Sequence, residues 1–134
     1  MTRGVTQQIF TGFRKEARVR LRVKSGKGNV FINGTPLHLL GDEIAREKIM
    51  TPLRMDEKFW KSHDFFLHAE GGGMIGVADA VAQAIARSIA ASNPATKEKI
   101  MGYNRYLLAG DPRRTEPKKP NRRSARRFKQ KSYR

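Results

Sequence analysis

The chain has 134 residues, 38% of them hydrophobic, and its 28 Lys and Arg against 12 Asp and Glu give a formal charge of +16. This length suits one small domain with a modest core, and the charge favours a polyanionic partner over a basic one. The chain contains no cysteine, which excludes a disulfide framework, a zinc ribbon and a thiol nucleophile.

The sequence predicts an intracellular protein without a membrane partner. Residues 1–10 lack the apolar core of a signal peptide, as judged from the usual pattern of such peptides. We also expect no membrane span, because no run of about 18 apolar residues stands out.

The positive charge is concentrated near the end of the sequence. Residues 111–134 hold 11 Lys and Arg and 2 acids, whereas residues 1–110 hold 17 and 10. The last segment is too poor in hydrophobic residues to offset the entropy lost on ordering. We therefore expect a compact domain over residues 1–110 and a tail over 111–134 that stays disordered until RNA orders it.

The first periodic segment, residues 17–24, predicts a half-buried strand. Hydrophobic and basic residues alternate along it, so one face can pack on a core while Arg18, Arg20, Arg22 and Lys24 point away. A row of cations with no acid between them is repulsive, which favours RNA contact over a merely solvated strand face.

Turn residues at 25–28 separate this strand from a second apolar strand at 30–32, and the pair is expected to form a hairpin. Asp42 predicts the start of a helix over residues 43–50. Pro52 predicts a break directly after that helix.

An apolar run within residues 61–70 predicts a third strand, which ends against three glycines. After Gly76, apolar residues recur every three or four positions and predict the best helix of the chain, which ends near Asn93. A helical turn at 97–101 and a return to the core at 103–108 are also expected. No internal repeat is evident.

The segment Gly-Gly-Gly-Met-Ile-Gly at residues 71–76 matches the G-x-G-x-x-G pattern of dinucleotide-binding loops. A dinucleotide site also needs an acid about 20 residues further on, at the end of a second strand, and here the predicted helix is still ending. We therefore expect a strand-to-helix junction in which glycine allows close backbone approach. Exposed amides at Gly72 and Gly73 would donate hydrogen bonds to an RNA phosphate, and Asp79 would face the positive helix start.

No residue set in the sequence points to catalysis, a metal or a cofactor. His38, His63 and His68 lack metal-ligand spacing. Trp60 could stack on a base, but core packing is the favoured interpretation.

Paired cations separated by Pro, Asn and Ser run along the tail. They are Arg113, Arg114, Lys118, Lys119, Arg122, Arg123, Arg126 and Arg127. Such a chain binds phosphates without reading sequence, and Phe128 and Tyr133 offer flat faces for stacking. A nuclear-localisation or merely solubilising tail is the alternative.

Several separate stretches resemble one family, the ninth protein of the small ribosomal subunit. The matching segments are TGFRKEA at 11–17, GKG at 26–28, INGTPL at 32–37, the glycine loop at 71–76, AIAR at 84–87, DPRRTEPK at 111–118 and QKSYR at 130–134. The last segment is similar to the ending of the archaeal and eukaryotic branch. Val77 and Gln83 depart from the family pattern, in which Gln and Arg are common at these positions.

The resemblance implies an α/β (α+β) fold. Its parts would be a four-stranded mixed sheet with helices packed on one face, a left-handed βαβ crossover and a long extended basic tail. Periodicity alone would favour a right-handed crossover.

The same resemblance implies a cytoplasmic, structural constituent of the head of the small ribosomal subunit, with no enzymatic activity and no homo-oligomer. Its partners would be small-subunit rRNA, neighbouring head proteins and peptidyl-site tRNA. Arg14, Lys15 and Lys27 lie in matching segments and are expected to bind rRNA. The tRNA contacts are expected at Lys131, Ser132, Tyr133 and Arg134.

Two other functions stay open at this point. The charge alone also suits a free nucleic-acid-packaging or RNA-chaperone protein, and the glycine loop alone suits a small nucleotide-dependent enzyme. A ribosomal constituent differs from both because it stays with the small subunit in sedimentation after a high-salt wash.

Overall fold

The computed structural model describes residues 8–127, which form a mixed five-stranded sheet and a set of helices. The strands are β1 (Ile9–Arg14), β2 (Ala17–Ser25), β3 (Val30–Ile32), β4 (Thr35–Pro36) and β5 (His63–Glu70). The helices are α1 (Glu43–Met55), α2 (Glu57–Ser62), α3 (Met74–Ser92), α4 (Pro94–Tyr103) and α5 (Tyr106–Ala109), with a 3-10 turn at Leu37–Leu39. The α+β class is therefore confirmed.

The sheet has five strands in the order β1-β2-β5-β3-β4, rather than the expected four. The short β4 pairs back on β3 through a turn at Asn33 and Gly34, whose φ angles are +51° and +82°. Asn-Gly is the pair of residues that such tight turns favour, because both positions take positive φ.

The predicted hairpin of β2 with β3 is wrong, because β5 lies between them. β5 pairs antiparallel with β2 and parallel with β3. The connecting loop crosses the end of β5, where Asp64 Oδ1 accepts hydrogen bonds from the amides of Lys27 (3.0 Å), Gly28 (3.1 Å) and Asn29 (3.0 Å). These amides, Asn29 foremost, lower the pKa of Asp64. The parallel β3–β5 pair is a crossover connection, and its left-handedness stays a prediction.

The alternation along β2 is confirmed, since Ala17, Val19 and Leu21 are buried and the Arg residues between them are exposed. Phe65 and Leu67 of β5 are buried on the same face. Helix α3 packs against β1, β2 and β5, while α1 and α4 pack against α3. The helical layer therefore covers the apolar face of the sheet, and the basic face of β2 stays open.

Helix α3 begins at Met74, with Gly73 as its N-cap, and not after Gly76 as expected. Its first turn holds no acid, so Asp79 lies further along the helix and pairs with Lys48 at 2.9 Å. The expected strand-to-helix junction is confirmed: Gly71 and Gly72 have φ angles of +71° and +67°, which only glycine adopts readily.

By length and composition alone, α3 is long and apolar enough to span a membrane. No segment with these properties was expected from the sequence. In the structure, 61% of its apolar window is buried. Packing against the sheet and α1 accounts for this apolarity, as in the core helix of a globular domain.

Other helix boundaries also differ from expectation. α1 continues through Pro52, because burial of Pro52 and Leu53 in the core offsets the lost backbone hydrogen bond. α2 was not predicted; Asp56 caps it by accepting from the Phe59 amide at 3.2 Å. In the 103–108 segment, Leu107 and Leu108 pack on the core while its tyrosines are exposed.

Asp111 fixes the place where the chain leaves the domain. Its carboxylate, in a residue only 8% exposed, pairs with Arg14 and accepts from the Arg113 backbone amide at 3.0 Å and from Arg113 Nε at 2.8 Å. The hydrogen bonds from Arg113, with Arg14 nearby, hold the pKa of Asp111 well below its ordinary value of 3.8.

Arg87 joins α3 to β1 and α5. Its guanidinium group donates hydrogen bonds to the carbonyls of Thr11 (2.8 Å) and Leu108 (2.9 Å).

Gly12→Ala is expected to destabilise the domain by about 1–3 kcal/mol or more. A Cβ at Gly12 would lie 2.0 Å from the Ala80 carbonyl oxygen and 3.0 Å from the Ala84 nitrogen, so α3 would have to move off β1. The matched control is Gly102→Ala in α4, where a Cβ meets nothing within 4 Å and helix propensity predicts a gain of up to about 1 kcal/mol. Chemical denaturation measures both; equal stability of Gly12→Ala and the parent would contradict the close approach.

Asp111→Asn is expected to lower the melting temperature at neutral pH. Folding lowers the Asp111 pKa, so the carboxylate contributes its full stabilisation above the unfolded pKa and loses it as the pH falls through the folded pKa. The melting-temperature difference between parent and variant should therefore be large near pH 7 and shrink at about pH 3 and below. Glu57→Gln, which breaks an exposed pair with Lys61 at 3.7 Å, should change little. A difference that grew on acidification would contradict this role of Asp111.

Candidate RNA interface

The basic row of β2 lies on the open face of the sheet. Arg18, Arg20 and Arg22 are exposed, and none of them forms an ion pair with an acid in the described part of the chain. His68, whose Nε2 lies 2.8 Å from Glu70 Oε1, lowers the pKa of Glu70, and Arg20 adds to this effect. Three guanidinium groups without an ion pair give this face a positive charge that attracts anions.

One end of β2 brings three predicted segments together. Lys15 lies in the exposed β1–β2 turn with φ +52°, and the next residue, Glu16, pairs with Arg114 of the tail at 3.8 Å. A Cβ at Gly71 would lie 2.5 Å from the Glu16 carbonyl oxygen, and one at Gly72 would lie 2.7 Å from the Ala17 Cβ. The turn, the glycine loop and the first tail cations are therefore neighbours.

Two predicted rRNA-binding residues differ from the others in their surroundings. Arg14 is 20% exposed and faces both Asp111 and Asp79, the latter at 3.7 Å, so its charge is already balanced within the fold. Lys27 is exposed, but it lies beyond the far end of β2, roughly 30 Å along the strand from the glycine loop. The structure does not bring Lys27 to the cluster around Glu16.

The tail turns back on itself through Glu116. Its carboxylate accepts from Lys119 Nζ at 2.8 Å and from Arg126 Nε at 2.8 Å, and these two cations, Lys119 first, lower the pKa of Glu116. The Arg123 amide donates to the Arg127 carbonyl at 3.1 Å. Lys118, Arg123 and Arg127 are exposed, and Arg122 is half-buried. The predicted tRNA contacts at Lys131, Ser132, Tyr133 and Arg134 lie outside the described residues.

Three side chains that the sequence analysis considered individually make contacts within the fold. Trp60 is half-buried, packs on the core and donates from Nε1 to the Gly28 carbonyl at 3.0 Å, which confirms core packing. His63 stacks on the Phe59 ring at 4.2 Å. Gln83 is 2% exposed and accepts from the Phe13 amide at 2.8 Å, so this departure from the family pattern faces inward.

One pair on the open face was missed by the sequence reasoning. The rings of Phe31 and Phe66 stack with centroids 5.5 Å apart, and Lys24 Nζ lies 5.4 Å from the Phe66 centroid. The apolar run at residues 65–67 predicts a strand, but that prediction does not say which of its side chains face outward. Strand alternation was the available signal, because Phe65 and Leu67 point inward and the residue between them must point outward.

Comparison with known proteins agrees with these features. The family model described as ribosomal protein S9/S16 matches residues 12–134. The small ribosomal subunit protein uS9 of Sulfurisphaera tokodaii is 45% identical over 124 residues, which cover 90% of both chains. The uS9 protein of Thermoplasma volcanium is 44% identical over 128 residues, or 94% of this chain and 97% of the relative. These relatives are ribosomal proteins and not enzymes, and a family match of this extent shows that the chain belongs to the ribosomal protein S9/S16 family.

Proposed function

We propose that this protein is a cytoplasmic, structural constituent of the small ribosomal subunit, where it binds rRNA through the open face of its sheet and through its tail. The observation that carries the proposal is the row of Arg18, Arg20 and Arg22, which is exposed and has no ion-pair partner in the described part of the chain. Membership of a ribosomal protein family supports the choice of rRNA as the polyanion. Neighbouring proteins of the subunit head are its other expected partners.

The proposed mechanism is placement by phosphate contacts. Alternate residues of a strand are roughly 6.8 Å apart on one face, so the three guanidinium groups of β2 present a line of charge to an RNA backbone. Such contacts fix position and orientation without reading base sequence. Arg serves well here because its planar fork binds phosphate oxygens in pairs.

The end of β2 near Glu16 supplies a second proposed contact. Lys15, Gly72, Gly73 and Arg114 belong to segments that meet there. The amides at the start of α3 would donate hydrogen bonds to a phosphate, and the neighbouring cations would add to its binding. Lys27 would bind rRNA separately, at the other end of the sheet. Arg14 would contribute mainly by holding Asp111.

The tail would carry the contact further along the RNA and reach peptidyl-site tRNA. Its cations at Arg113, Lys118, Lys119, Arg122, Arg123, Arg126 and Arg127 are proposed to bind rRNA. Lys131, Ser132, Tyr133 and Arg134 are proposed to touch the tRNA backbone. The Asp111 anchor supports this arrangement, because it fixes the direction in which the tail starts.

Sedimentation tests the proposed function itself. The protein is expected to stay with small subunits through a high-salt wash and to leave only when the subunit is dismantled. A free nucleic-acid-packaging or RNA-chaperone protein would be released by the wash, because its binding rests on exposed charge alone. Release of this protein would therefore contradict the proposal.

Single substitutions of Arg18, Arg20 or Arg22 by Gln are expected to weaken RNA binding and to reduce the slope of log affinity against log salt by about 1 each. The matched control is Arg54→Gln, since Arg54 is exposed on α1 but already pairs with Glu47 at 2.9 Å. Titration of the full-length protein with rRNA fragments between about 50 and 200 mM salt measures the slopes. Identical slopes for the β2 variants and the parent would remove the β2 row from the interface.

Deletion of residues 129–134 is expected to leave assembly largely intact and to speed loss of peptidyl-site tRNA by about tenfold or more, because charged hydrogen bonds to the tRNA backbone are lost. The measurement is the tRNA off-rate from purified small subunits that carry the full or the shortened protein. Unchanged off-rates would overturn the tRNA contact while leaving the rRNA contacts standing.

A further inference from the structure

The open face of the sheet carries a groove beside the Arg row. It has a volume of about 550 Å³ and is lined by residues that include Arg20, Arg22, Phe31, Phe66 and His68. Three strands contribute these side chains, since β5 lies between β2 and β3. The groove therefore exists only because β5 is inserted between the two segments that the sequence suggested as a hairpin.

The floor of the groove is aromatic. Phe31 and Phe66 are direct cross-strand partners, and their rings are nearly parallel, with an interplanar angle of 13°. Phe66 is 38% exposed although it stands next to a well-filled core. Outward positions of a half-covered sheet normally hold polar residues. An exposed pair of rings at such positions therefore indicates a binding partner with a flat apolar surface.

The walls of the groove are cationic. Phe66 lies directly opposite Arg22 in the β2–β5 register, and Lys24 Nζ approaches the Phe66 ring at 5.4 Å. No Asp or Glu lines the groove among the described residues. A partner that suits both parts must combine a flat ring with nearby negative charge, and an unpaired nucleotide of RNA has this combination.

We propose that the groove binds an unpaired RNA base, which stacks on the Phe31–Phe66 pair while Arg20, Arg22 and Lys24 hold the flanking phosphates. The inference rests on the proposed function, since it names which feature of the RNA the open sheet face selects. A duplex keeps its bases stacked on one another and cannot offer a ring to the groove, so the site prefers a loop, a bulge or a strand end.

Phe66→Leu tests the stacking contact in the full-length protein. The variant keeps an apolar side chain at this position and is expected to weaken binding of a single-stranded RNA of about 12 nucleotides by about 5- to 150-fold, with the salt slope unchanged. Affinity for a duplex of the same sequence should not change. Tyr103→Leu is the control, because Tyr103 is a 66% exposed ring on α4, away from the groove.

Two results would overturn the inference. One is equal binding of single-stranded RNA by Phe66→Leu and the parent, and the other is an equal loss for single-stranded and duplex RNA. Neither result touches the proposed function, which is decided separately by whether the parent stays with washed small subunits.

Photo-crosslinking in assembled subunits identifies the occupant. Phe66→p-benzoyl-phenylalanine is expected to yield an adduct with an unpaired rRNA nucleotide when subunits that carry the variant are irradiated. An adduct with a protein would overturn the inference and assign the groove to a neighbouring protein. Absence of any adduct at Phe66, with an RNA adduct from the same probe at Arg22, would also overturn it.

Discussion

Helix α3 lies against the sheet at backbone contact distance, because Gly12 of β1 presents no side chain to the carbonyl of Ala80. This approach lets one helix pack on β1 and also cover the buried apolar residues of β2 and β5. Its own small residues face the sheet, and a longer side chain at Gly12 would separate the layers. One face of the sheet is thereby packed against the helices, and the opposite face is left to the cations and aromatic rings. The division between a covered face and an open face follows from this packing.

The insertion of β5 between β2 and β3 gives the binding face its composition. Asp64 captures three amides of the loop that joins the neighbouring strands, and the absence of a side chain at Gly26 leaves room for its carboxylate, 2.1 Å from where a Cβ would stand. As a result Phe66 comes to lie between Arg22 and Phe31. A simple hairpin of β2 and β3 would have placed charge next to an apolar strand without this central ring. The mixture of charge and aromatic surface is thus a consequence of strand order and not of local sequence.

Local patterns were sufficient for the parts of the fold that are stabilised locally. The alternation in β2 predicted both its buried residues and the outward Arg row, and the periodicity of α3 predicted a helix there. Local patterns could not predict contacts between distant segments. Asp64 accepts hydrogen bonds from a loop more than 30 residues away, and α1 runs through Pro52 because Leu53 and its neighbours are buried. The outward position of Phe66 was not predicted, because the apolar run was not divided between the two strand faces. The motif segments that resembled a family carried the family assignment, which no periodicity could have supplied.

Two groups of basic residues differ in whether the fold supplies their partners. Arg14 forms ion pairs with Asp79 and Asp111, and Arg87 donates hydrogen bonds to the carbonyls of Thr11 and Leu108, so these cations have partners within the protein and stabilise the domain. Among the described residues the β2 row forms no ion pair, and although Glu70 lies opposite Arg18, the three Arg side chains still repel one another, which an external anion relieves. Both groups meet where Asp111 fixes the start of the tail and Arg114 pairs with Glu16, one residue before β2 begins. A polyanion that binds along the row therefore meets the first tail cations at the Arg18 end of β2, so that the strand and the tail can act on it as one continuous surface.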